Sequence, residues 1–283
     1  MAVSAADVKR LREETDAPMM ECKAALEEAG GDFEKAKAIL REKGQAAAAK
    51  RGDRSTAAGI AWVAVGDGGD KVAGVVVECE TDFVALNDRF KELVEALAHG
   101  LLTALDPAPG EKMEATVDTM INGQTIGAML AEAVAVIREN IVLKKAIVAK
   151  AADGHAFSVY NHINTRKAAS YVEHTGLRDD NVGFQIAIQV VAFPPMFLKR
   201  EEVPADIIAR EIEIETTRAV NEGKPDEVAR KIAEGRVNKE YFQSQVLLEQ
   251  PFYTDAKKKV ADYVKENGGG SLRSFELFAV GAQ

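Results

Sequence analysis

The chain has 283 residues, 47% of them hydrophobic and 29% charged, and a net charge of −9. That composition suits a globular chain of one to three domains, and the acidic balance argues against sequence-independent nucleic-acid binding, which needs many phosphate-neutralising Lys and Arg. Two cysteines, Cys22 and Cys79, cannot build a disulfide framework, and no apolar run reaches the roughly 18 residues of a membrane span.

The N-terminal segment MAVSAADVKRLREETD has no apolar signal core, which argues against a targeting signal and, with the cysteine count, favours a reducing cytoplasm. Residues 4–44 read as three short helices. Ser4 caps the first, which carries Val8 and Leu11. Pro18 breaks the chain after it. The second puts Met20, Ala24, Ala25 and Leu26 on one side. Asp32 caps the third, with Phe33, Ala36, Ile39 and Leu40 inward and Gly44 closing it. The run from Gly44 to Gly59 is a helix tail and then a basic, solvated hinge with Lys50, Arg51 and Arg54.

The pattern then changes to strands. IAWVAV, a GDGG turn and KVAGVVVECE predict a β-hairpin. The glycines lack the G-x-x-x-x-G-K-[ST] pattern of a phosphate loop. A helix starts at Asn87 with Phe90, Leu93, Val94 and Leu97 at helical spacing. Asp106–Gly110 is a loop, and another helix covers Thr125–Ile137. Strands follow at Ile141–Lys150, His155–Ile163 and Arg166–His174, then a helix from Asp180 to Val191, stopped by Pro194-Pro195. Residues 201–240 predict a helical hairpin. Ile207, Ile208, Ile212, Ala219 and Val220 lie along its first arm, Gly223 and Pro225 turn it, and Val228, Ile232 and Val237 lie along the second. A last helix begins near Asp255 and a last strand covers Leu272–Val280.

The fold class is α+β. The domains are 1–53, a three-helix unit with linker; 54–140, a first core subdomain; 141–200, a second; 201–240, the hairpin; and 241–283, a return to the second subdomain. A faint internal repeat supports the paired core. One strand ends at Val77-Glu78 and another at Val172-Glu173, and each is followed by a helix with a phenylalanine near its start, Phe90 and Phe184. After the first strand stands Asp82-Phe83. After the second stands Thr175-Gly176-Leu177. A phenylalanine required by the scaffold should recur, and it does not.

Little else suggests chemistry. His99, His155, His162 and His174 form neither H-x-x-x-H nor H-E-x-x-H, and no C-x-x-C occurs. Cys79-Glu80 and His174 could meet if the two units pair. G-x-S-x-G and Rossmann glycine patterns are missing. No metal, cofactor or catalytic residue is therefore assigned, and the chain is not read as an enzyme. What remains is Glu80-Thr81-Asp82-Phe83-Val84. On spacing alone two readings stand: Thr81 or Asp82 caps a helix with Phe83 packed below it, or Phe83 is a wedge for another protein.

LREETDAPMMECKAALEEAGGDFEKA near the N-terminus and VECETDFVALNDRF resemble the two signature segments of the elongation factor Ts family, guanine-nucleotide exchange factors for elongation factor Tu. IRENIVLKKA, EGKPDEVARKIAEGRVNKEY and LLEQPF follow in the family's order. The resemblance implies a UBA-like N-terminal domain, two related core subdomains and a projecting antiparallel arm. It implies elongation factor Tu, GDP-bound and nucleotide-free, as partner, with a homodimer or a two-to-two complex through the hairpin as the possible higher assembly. It assigns Thr81, Asp82, Phe83 and Val84 to the partner's nucleotide-binding domain, along with Met19 and Met20. Tyr160 and His162 are assigned to its third domain.

Three departures from the family stand out. Thr15-Asp16-Ala17-Pro18 replaces Thr-Gly-Ala-Gly, and Arg138 replaces a glycine. The chain is also expected to lack the C-terminal helix of some members. Two rival classes remain from sequence: a regulatory adaptor or scaffold without exchange activity, and an α+β enzyme using unmarked carboxylates.

Overall fold

Strands β1 (Ala58–Val65) and β2 (Lys71–Cys79) are rich in valine and alanine and buried along most of their length. Side chains alternate across a pleat, so such strands need cover on both faces. The computed structural model, which describes residues 3–282 apart from Asp16, shows what supplies it. β1 and β2 form an antiparallel hairpin. β6 (Ile141–Lys150) pairs with the far side of β2, and the short β3 (Lys112–Glu114) completes a sheet of order β1-β2-β6-β3. A second sheet of order β11-β8-β7 is built from β7 (Ala156–Asn161), β8 (Ala168–Thr175) and β11 (Ser271–Ala279).

The two sheets face each other. Ala61, Val63, Val72, Val76 and Ile147 of the first meet Phe157, Ala169, Tyr171 and Phe278 of the second. Gly74 makes the closest approach, since a Cβ there would lie 2.2 Å from the Phe278 ring. The outer face of the first sheet packs on α5 (Asp88–Ala104) and α6 (Ile126–Ile137), through Phe90, Val94, Leu97, Ile126 and Val134. The outer face of the second packs on α7 (Asp180–Ala192) and α11 (Val260–Glu266). The result is four layers, helix–sheet–sheet–helix.

The N-terminal bundle comprises α1 (Ala5–Thr15), α2 (Met19–Glu28) and α3 (Phe33–Arg51), with Leu11, Cys22, Ala25, Leu26 and Ala36 at its centre. Ser4 and Asp32 act as the expected caps, accepting from the N–H groups of Asp7 and Lys35. The hairpin comprises α8 (Ala205–Asn221) and α9 (Asp226–Arg236). It runs through a π-turn into α10 (Phe242–Gln245) and rests on a base of Val203, Val237, Phe242 and Val246.

The structure corrects the sequence reading in several places. The division at 140/141 cuts β6 from its sheet: β6 closes the first unit as β11 closes the second, because each hairpin needs a third strand beside its inner one. Gly44 does not end α3, which runs on to Arg51 because QAAAAK is strongly helix-forming. Gly44 instead lets α3 approach α6, where a Cβ would meet that of Ala135 at 2.9 Å. Residues 52–57 are largely solvent-exposed, as expected, but tethered, since the buried Asn140 side chain donates to the carbonyls of Gly52 and Arg54. Met20 and Ala24 point outward on α2.

On α9 the buried positions are Ala229 and Ala233, followed by Val237 in the π-turn, while Val228 is exposed. Phe184 is not the counterpart of Phe90, being 39% exposed against 0%. The helix placed near Asp255 begins at Val260; β10 (Asp255–Lys259) first pairs with β9 (Pro251–Phe252). β3 and the tiny ribbon of β4 (Met120–Ile121) and β5 (Gln124–Thr125) carry too few apolar residues to show a period. The Asp16 departure lies outside the described residues.

Candidate functional site

Cys79, wholly buried, is the last residue of β2, and the chain leaves the core there. Thr81 is extended, at φ −129° and ψ 153°, and its hydroxyl accepts from the N–H of Val84 at 3.4 Å. That geometry makes it the N-cap of α4 (Asp82–Ala85). A four-residue helix has too few internal bonds to hold itself, so this one is held from behind. Thr81 donates its N–H and its hydroxyl to Glu139, at 3.0 and 2.6 Å. Glu80 accepts from the N–H of Asn140 at 2.7 Å and faces Arg54 at 3.4 Å. Ala85 is buried and Val84 packs against the first core.

The outward side of the turn is apolar. Phe83 is 89% exposed and Leu86 65%. Residues three apart share a helical face, so the Phe83 ring and the Leu86 side chain lie on the same side of the turn. The reading that packs Phe83 below the turn is therefore ruled out. Two large apolar side chains thus stand in water on a braced element.

Asp82 meets Lys167 at 2.9 Å. Lys167 belongs to the turn between β7 and β8. Arg166 in that turn lies at φ +52°, pairs with Glu95 of α5 and stands 5.0 Å over the Trp62 ring. The second unit thus reaches across to the first beside α4. His162 starts the same turn, and its ring stands 6.0 Å from Tyr160, edge to face. Tyr160 on β7, the edge strand, and His162 just beyond it are partly buried, and Tyr160 also meets Phe184 at 5.6 Å.

Met19 and Met20 open α2 and are 50% and 73% exposed. Pro18 stands at the N-cap, and its carbonyl accepts from Glu21 and Cys22. So the structure gathers Thr81–Val84 on one turn, ties Asp82 to the turn of His162, and leaves the Met19-Met20 pair on the separate bundle.

The two candidate reactive side chains, Cys79 and His174, lie apart. Burial pushes the Cys79 thiol up to about 12, with the Glu139 carboxylate adding to the effect. The thiol donates to the carbonyl of Thr81. His174 does not join Cys79; its Nε2 lies 2.7 Å from the Ser158 hydroxyl in the second unit. Among the described residues no group of three or more His, Cys, Asp or Glu could hold a metal ion, and no helix is long and apolar enough to cross a membrane.

Sequence reasoning missed Glu139, Asn140, Lys167 and Leu86. Leu86 was findable, three residues after Phe83. The others act across 58, 60 and 85 positions of chain, and no local pattern carries that.

A model of the elongation factor Ts family matches residues 80–282. The match opens on Glu80, the first residue of the braced segment, and spans the second unit and the hairpin. On that match, over well beyond half its length, the chain belongs to the elongation factor Ts family of translation elongation factors.

Proposed function

We propose that this chain binds elongation factor Tu and speeds release of its GDP, so that GTP can enter. The observation that carries the proposal is Phe83, 89% exposed on a turn whose cap is held by two bonds from Thr81 to Glu139. A side chain left in water at that cost, on a rigid mount, is suited to insertion elsewhere.

The mechanism is differential binding. An exchange factor must bind the nucleotide-free partner better than the GDP-bound one, because only a difference in affinity shifts the equilibrium. The coupling is reciprocal, so incoming nucleotide expels the factor. Burying Phe83 is worth about 1.5–3 kcal/mol. That helps displace elements around the partner's phosphate and Mg²⁺ site but does not alone offset nucleotide binding. Thr81, Val84, Met19, Met20, Tyr160 and His162 supply further contact, the last two to the partner's third domain. Asp82 is free to serve, since an exposed pair such as Asp82–Lys167 is worth at most about 1 kcal/mol.

In this reading the chain uses no cofactor, touches no nucleic acid or membrane directly, works in the cytoplasm and catalyses no bond change of its own. The N-terminal bundle takes the UBA-like role. Exposed Ile214, Val220 and Val228 on the hairpin support pairing of two copies there.

The test is GDP release from preloaded elongation factor Tu, with and without the chain and with Phe83→Ala. Release that the chain does not accelerate, in the presence of a demonstrated complex, would leave the adaptor as the better description.

A further inference from the structure

Three consecutive residues after α6 grip three separate segments. Arg138 pairs with Glu21 of α2, in the N-terminal bundle. Glu139 accepts both bonds from Thr81, the cap of the Phe83 turn. Asn140, 4% exposed, donates its backbone N–H to Glu80 and its side chain to the carbonyls of Gly52 and Arg54, in the connection between bundle and core. Two further contacts seat the bundle on α6: the close approach of Gly44 to Ala135, and Arg41 to Glu132 at 2.6 Å.

Arg138 holds its place under strain. It is the C-cap of α6, at φ +72° and ψ 14°. That left-handed conformation suits glycine and is unfavourable for any residue with a Cβ. Glycine would cap this helix better, yet glycine has no side chain to reach Glu21.

We propose that Arg138-Glu139-Asn140 is a positioning node. It sets the bundle, with Met19 and Met20, at a fixed orientation to the Phe83 turn, so that the two exposed apolar groups meet a partner as one prealigned surface. The proposal rests on reading both groups as partner contacts. Its physical basis is preorganisation: a bundle already in place does not have to be ordered when the second contact forms. Arg138 and Glu21 are the adjustable joint, and Glu139 and Asn140 are the fixed part.

The strain makes the test sharp, because Arg138→Gly should move stability and positioning in opposite directions. Spin labels on the full chain, at Glu27→Cys and Glu114→Cys, report the distance between bundle and core without any partner. Both sites are exposed, and the native Cys22 and Cys79 are buried beyond labelling.

The parent should give one narrow distance. Arg138→Gly and Glu21→Gln should each broaden it, and Arg138→Lys should keep it narrow. Arg138→Gly should melt no lower than the parent. Its affinity for elongation factor Tu should fall about two- to fivefold, the range an exposed ion pair supports, with the exchange rate at saturation unchanged. A narrow distance in Arg138→Gly overturns the node, as does a lower melting temperature with the distance unbroadened. Failure of the parent to bind the partner overturns the functional reading instead, while the distance still judges the node.

Discussion

The two α+β units end their second strand alike and then part. β2 ends beyond Glu78 and β8 beyond Glu173, and both carboxylates are buried, at 4% and 3% exposure. Each ties down remote backbone or hydroxyl groups: Glu78 accepts from Thr56 and Gly281, and Glu173 from Ala152 and Ser274. Beyond that shared feature the second unit closes on itself. Gly176, at φ +68°, lies against the backbone of Gly270, Arg178 donates to the carbonyl of Asn267, and Leu177 packs into the third core. The first unit builds α4 there and leaves Phe83 in water. One scaffold thus carries a loop covered from within and a loop left uncovered, so the exposure of Phe83 is not something the scaffold demands.

The strongest way to break the comparison is to truncate two phenylalanines seven positions apart. Phe90 is fully buried in the first core. Phe90→Ala should cost about 3–5 kcal/mol of stability, seen as a large fall in melting temperature. Phe83→Ala should stay within about 0.5 kcal/mol of the parent. If both variants melt alike, the contrast between scaffold and mount is wrong.

The next effect is functional. Phe83→Ala should slow factor-stimulated GDP release by roughly ten- to a hundredfold, if its 1.5–3 kcal/mol of burial is realised in the transition state. Leu177→Ala, at the equivalent place in the second unit, should lose stability and leave release per folded molecule unchanged. Stopped-flow release and thermal melting on the same preparations separate the two.

Smaller effects sharpen the likeness between the units. Glu78→Ala and Glu173→Ala each remove a buried carboxylate with two hydrogen bonds and an ion pair, to Lys144 and Arg273 respectively, and each should cost about 1–3 kcal/mol by urea denaturation. Unequal costs would show that the buried glutamates are not equivalent. Glu139→Ala should cost less in stability than either, because Glu139 is only partly buried whereas Glu78 and Glu173 are fully so. It should still weaken exchange by loosening the Phe83 turn.

The smallest expected effect is on pH dependence and belongs to the second unit alone. Burial lowers the pKa of His174, partly countered by Asp180, and His155 lowers it further. The ring is bonded to Ser158 beneath α7, where a Cβ on Gly183 would lie 2.7 Å from Nε2. With the folded pKa below the unfolded value of about 6.5, the unfolded chain takes up the proton first. Stability should therefore fall as pH drops through about 6.5 towards the folded pKa. Melting from pH 7 to 5 should show this fall in the parent and a shallower one in His174→Gln. Identical slopes would mean that other groups carry it.

Most of the elements were legible because each has its own signal. Alternation and valine content mark β1, β2 and β6, helical spacing marks α5, and Gly223 with Pro225 marks the hairpin turn. The repeated Val-Glu strand ends, Val77-Glu78 and Val172-Glu173, marked the places where the two units end a strand alike. The residues of the Phe83 turn were likewise readable, as a segment whose only unusual member had no counterpart in the second copy. Short strands escaped, because two or three residues cannot display a period, and α3 was cut short because a glycine serves close packing as readily as a helix end.

The long-range contacts that brace the turn were not legible. Local chemistry is written in neighbouring residues, so the sequence by itself determined the longer strands and helices and the residues of the turn. Which strand closes which sheet, that Phe83 faces water, and that Glu139 braces Thr81 while Arg138 reaches Glu21 are long-range choices. They depend on how two sheets and a bundle pack against one another, and only the tertiary structure decides them.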